Sequence, residues 1–104
     1  MNVNKHTVDY SNNFKLINLV VQNAKGYATI NEVFFSEEGG IEPSGEFFIY
    51  LLHPILGTRM FRMRYDYDYN TWVPTDLVIR ELIGEEILQQ VIDAMPVKEI
   101  TKNY

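Results

Sequence analysis

The hydrophobic period of this chain changes at Pro74, and no other feature narrows the possible folds as much. Downstream, Ile83, Ile87, Leu88, Val91, Ile92 and Met95 share one half of a helical wheel, with Glu85, Glu86, Gln89, Gln90 and Asp93 on the other. The spacing predicts an amphipathic helix over 83–95. Continued backwards, the same wheel turns Arg80 and Glu81 into the apolar half. Gly84 is therefore the expected break, after a first segment capped by Thr75 or Asp76. Upstream, "TRMFRMRYDYDY" (58–69) alternates residue by residue and predicts a strand. Phe61, Met63, Tyr65, Tyr67 and Tyr69 would face mostly inward beneath the helix, and Arg62, Arg64, Asp66 and Asp68 outward.

"EFFIYLLH" (46–53) is apolar on both faces, the pattern of a central strand covered on two sides, and Pro54 ends it. "YATINEVFF" (27–35) reads as a strand, and "EEGGIEPSG" (37–45) between the two reads as a loop. "NNFKLINLVVQNAKG" (12–26) fits two patterns. As a helix it places Lys15, Asn18 and Gln22 on one side, with N-caps at Ser11–Asn13 and a glycine end at Gly26. As a hairpin strand it turns at Asn23–Gly26, and Ile17, Val20 and Val21 are β-branched. The helical periodicity is the cleaner. The expected fold is α+β: an N-terminal helix (or hairpin strand), a three-stranded antiparallel meander, and a broken amphipathic C-terminal helix packed on the sheet. A single domain, 13–96, would lie between a polar lead-in, 1–12, and a polar tail, 97–104.

With 104 residues, 46% of them apolar and 22% charged, the chain has the size and balance of one folded domain. It has no cysteine, so disulfides and thiolate zinc sites are excluded. The start is polar and the longest apolar run is "FFIYLL" (47–52), so a cytoplasmic protein with no membrane span is expected. Asp66-x-Asp68-x-Asn70 matches the first three ligand positions of an EF-hand loop. Thr71 then stands where the turn glycine belongs and Leu77 where the bidentate glutamate belongs, so no metal is expected. His6 and His53 have no nucleophile context, and no glycine-rich phosphate loop is present. Neither a cofactor nor catalysis is expected.

Nine Lys and Arg against 14 Asp and Glu give a net charge of −5, which disfavours nucleic acid as a partner. Glu37, Glu38, Glu42 and Glu46 fall in a stretch without a base, and form the candidate site for a protein partner with a basic surface. The function class this implies is a small acidic, non-enzymatic protein–protein interaction protein. Inhibitor, immunity or accessory proteins of bacteria and their mobile elements are of this kind. The alternative is a nucleic-acid-binding module using Arg59, Arg62 and Arg64 with Tyr67 and Tyr69, and a homodimer through the C-terminal helix is a further expected contact. The element order resembles that of double-stranded-RNA-binding domains. Those need lysines where this last helix begins, and this chain has Asp76, Glu81, Glu85 and Glu86.

Overall fold

The computed structural model describes residues 8–38 and 40–97. Five strands run up and down in sequence order as one antiparallel sheet: β1 (Val8–Val21), β2 (Ala24–Glu37), β3 (Gly40–His53), β4 (Gly57–Asp66) and β5 (Thr71–Pro74). The sheet curls into a half-barrel and one helix among the described residues, α1 (Val78–Ala94), follows it. That helix meets β1 and β5, the two edge strands, and so spans the open side of the curl. The fold is α+β, but a five-stranded half-barrel replaces the expected three-stranded meander. The tail expected at 97–104 lies, apart from Val97, outside the described residues, as do residues 1–7 of the lead-in.

The expected N-terminal helix is a strand. β1 buries Leu19 and half-buries Ile17 and Val21 on its inner face. Its outward positions, Leu16 and Val20, are apolar as well, and these blur period two into something close to 3.6. The hairpin turn is also shorter than Asn23–Gly26. Val21 pairs with Ala24, leaving Gln22 (φ 51°) and Asn23 (φ 63°) as a two-residue turn with both centres in the left-handed region. That is the type I′ geometry matching the twist of the strands, and asparagine tolerates it well.

The expected loop at 37–45 is likewise sheet. β2 and β3 stay paired to their tip, with Phe35 opposite Glu42 and Glu37 opposite Gly40. Between the Glu32–Phe47 and Phe34–Pro43 pairs, Val33 alone faces Ser44, Gly45 and Glu46. Gly45 (φ 84°) and the Ser44 hydroxyl, which accepts the Glu46 N–H at 3.1 Å, close this bulge. Glycine and proline mark a bulge inside a long hairpin here, and not a loop.

β4 ends at Asp66, three residues before the expected Tyr69. The Asp66 carboxylate accepts the N–H groups of Asp68 (2.9 Å) and Tyr69 (3.4 Å), and Asn70 takes φ 55°, which turns the chain into β5. Tyr65 is half-buried edge-on to Trp72, but Tyr67 and Tyr69 stand in the turn at 67% and 79% exposure, not inward. β5 escapes a sequence reading because it is four residues long and contains Pro74, which an edge strand tolerates.

In α1, Ile79 and Ile83 are buried four residues apart, and Gly84 (φ 85°, ψ 159°) then leaves helical geometry. The break resets the phase, so Ile87, Leu88 and Val91 return to the core while Arg80 stays outside, paired with Glu85 at 2.8 Å. The Asp76 carboxylate accepts the Val78 N–H at 3.1 Å where the helix begins. Gln90, on the polar side of the wheel, has a role the wheel does not show. Its amide N–H donates to the Val20 carbonyl (2.9 Å), and its amide oxygen accepts the Val20 N–H (3.1 Å). The side chain thus completes the ladder of edge strand β1 as a neighbouring strand would. Gln90→Ala is expected to cost about 1 kcal/mol by chemical denaturation, above the half kcal/mol of an idle surface position, because two backbone groups lose their partner.

Candidate functional site

The four glutamates do not form one free acidic loop. Glu38 sits exposed in the β2–β3 turn, Glu42 is exposed on β3, and Glu37 ends β2. Glu46 lies on the outer face of the sheet, where its carboxylate accepts a hydrogen bond from Arg62 Nη1 at 3.1 Å. Both partners are about a third or more exposed, so the pair contributes roughly 0–1 kcal/mol, and Glu46 is already engaged.

The three arginines are divided between faces. Arg59 lies opposite Leu51, which is fully buried, and so belongs to the inner face. Its Nε is buried and, among the described residues, has no hydrogen-bond partner. Arg62 and Arg64 lie opposite Phe48 and Glu46 on the outer face. Tyr67 and Tyr69 occupy the turn beyond β4. The arginine–tyrosine set is therefore not a single surface. Among the described residues no group of three or more His, Asp or Glu is placed to hold a metal ion.

His53 is structural. It is buried, its Nδ1 accepts the Ile55 N–H at 3.1 Å, and its Nε2 donates to the Ala24 carbonyl at 3.3 Å. Its ring packs over Gly26 on the adjacent strand, where there is no room for a side chain.

What the sequence reading missed is the outer face itself. The strand register lines up Leu16, Thr29, Tyr50 and Met60 across β1 to β4, and beside them Asn18, Tyr27, Leu52 and Thr58. Leu16, Tyr27, Tyr50, Leu52 and Met60 are between 40% and 63% exposed. At about 150–250 Å² per large side chain they present on the order of 500 Å² of apolar surface. The patch ends in an open depression of about 420 Å³ lined by Lys25, Tyr27, Leu52, Pro54 and Thr58 with the backbone of Gly26, His53 and Gly57. The signal was present in "EFFIYLLH", apolar on both faces. It predicts a strand covered on two sides, and the fold covers it on one: Phe47, Ile49 and Leu51 are buried, whereas Tyr50 and Leu52 are not. No known family model, curated protein or solved structure matches the chain.

Proposed function

We propose that the protein works without catalysis, by docking another protein on the outer face of its sheet, as a small cytoplasmic inhibitor, immunity or accessory protein does. One observation carries this reading: β3 has the composition of a strand buried on both faces, and α1 covers only the inner one. A second layer on the outer face would give Tyr50 and Leu52 the burial their side chains favour. The patch approaches the ~800 Å² per partner of a standard interface once polar rim residues join it. The helix stripe is less available, because Ile87, Leu88 and Val91 are spent in the core. No helix among the described residues is long and apolar enough to cross a membrane.

The test compares variants in the cells the protein comes from. Tagged wild-type chain is expected to recover a discrete protein in stoichiometric amount, and Leu52→Glu to lose it while melting within a few degrees of wild type, since position 52 is already half-exposed. Glu38→Gln with Glu42→Gln should retain that partner. The opposite result, loss with the glutamine pair and retention with Leu52→Glu, returns the site to the acidic hairpin tip.

A further inference from the structure

We infer that the free edge of β4 takes an extended segment of the partner as a sixth, antiparallel strand, with one Asp or Glu of that segment set against Arg59 and an apolar residue on each side of it. This rests on the docking reading above and adds how the partner is gripped. β5 pairs with β4 only from Met63 to Asp66, and the Thr75 N–H then donates to the Arg62 carbonyl at 2.9 Å. Main-chain groups alternate sides along a strand, so those of Met60 and Thr58 point the same way as that carbonyl. No described strand lies there, because β5 ends at Pro74 and α1 packs against β1 and β5. Both residues are exposed, and among the described residues none bonds their N–H or C=O groups on that side. At the opposite edge of the sheet the Gln90 amide serves the Val20 main chain as a strand would, and no described side chain does the same for β4.

Arg59 stands between these two residues, half-buried, with its side chain on the inner face. Among the described residues it has no ion pair and no hydrogen-bond partner for its buried Nε. A charge turned inward at an edge blocks indiscriminate pairing and admits a segment that brings a carboxylate to it. The residue opposite Arg59 would form a non-hydrogen-bonded pair, with Cα atoms about 4.5 Å apart and the side chains in contact. Its two neighbours in the segment would fall on the outer face beside Thr58 and Met60. Apolar side chains there extend the row of Leu16, Thr29, Tyr50 and Met60. The same arginine weighs against a second copy as the occupant. An antiparallel β4–β4 pair that serves Thr58 and Met60 of both copies is centred on Arg59 and sets guanidinium against guanidinium.

The experiment has two parts. In the free protein, amide hydrogen exchange is expected to be at least about tenfold faster at Thr58 and Met60 than at Arg59 and Phe61, whose groups pair with β3. Equal protection would mean that the edge is closed and would overturn the inference. A random peptide display library is then selected on wild type, Met60→Pro, Arg59→Gln and Leu52→Glu. Wild type is expected to enrich peptides with one Asp or Glu between two apolar residues, and Arg59→Gln to lose the acidic preference. Met60→Pro, which removes an N–H that makes no bond to β3, should enrich none of them. Leu52→Glu should retain them, because Leu52 lies on the next strand. A synthetic peptide from the wild-type pool should slow exchange at Thr58 and Met60. N-methylation of the two residues flanking its acid should weaken binding at least about tenfold, and N-methylation of the acid itself about twofold or less. That comparison uses wild-type protein, so it decides even if Met60→Pro does not fold. Peptides that need Leu52 and are indifferent to the position of N-methylation would overturn strand addition and leave the docking face standing. Position-dependent peptides without an acidic bias would overturn the chemistry inferred for the segment. No enrichment on wild type over Met60→Pro would sink the inference, while recovery of the cellular partner with Leu52→Glu still decides the docking reading. A dimer that forms with rising concentration and protects the same amides would assign the edge to a second copy instead.

Discussion

Gly26→Ala is expected to cost about 3 kcal/mol or more, enough to unfold a domain of marginal stability. A Cβ at Gly26 would overlap the Leu52 carbonyl oxygen and would lie 2.8 Å from His53 Cδ2 and 2.9 Å from His53 Cα. Two of those three atoms are backbone, so rotating the imidazole away does not relieve the clash, and β2 and β3 must move apart. The second variant follows from this. Adding His53→Ala should not restore stability, because the Leu52 oxygen and the residue 53 Cα remain. Chemical denaturation of Gly26→Ala, alone and with His53→Ala, checks both statements. A near-native midpoint for Gly26→Ala would mean that the two strands are farther apart at this point.

Trp72→Ala should be comparably severe, at about 3–5 kcal/mol. Trp72 is buried on the short strand β5, with its ring edge-on to Phe47 and Tyr65 at centroid distances of 5.3 Å. Its indole N–H donates to the Pro96 carbonyl at 3.0 Å, which ties the segment after α1 back to the sheet. A four-residue strand has little ladder of its own, so this side chain is the main anchor of that edge. Trp72→Phe keeps most of the ring contacts and loses the hydrogen bond, and should cost about 1–2 kcal/mol. Because Trp72 is the chain's single tryptophan, its own fluorescence follows the unfolding of the wild type and of every variant that retains it.

The parts of the fold that were legible are those with one buried and one solvated side. β4 alternates because only its inner positions enter the core, and α1 keeps its period because the sheet takes one stripe of it. Gly84 could be located because a continuous helix would have buried Arg80. β1 was lost where outward apolar residues, Leu16 and Val20, joined the inward ones and imitated a helical wheel. The same kind of residue on β2, β3 and β4 (Tyr27, Tyr50, Leu52 and Met60) makes the outer patch, so the feature that obscured a strand also marks the candidate site. The acidic block was visible as composition, but pairing Glu46 with Arg62 requires the β3–β4 register, which no local pattern supplies. The β2–β3 hairpin was hidden by glycine and proline, whose roles at Gly45 and Pro43 become clear only once Val33 is seen to face a three-residue bulge.

Residue-resolved photo-cross-linking in the native cell tests most directly whether the outer face is the working surface. A photoreactive side chain would be placed in turn at Tyr50, in the middle of the patch, at Glu38 on the hairpin tip, and at Glu85 on the solvated side of α1. A discrete protein adduct from position 50, with none from positions 38 and 85, is the expected result. Adducts from position 38 or 85 with none from position 50 would contradict it, and the exposed face of β3 would then have to be explained without a partner.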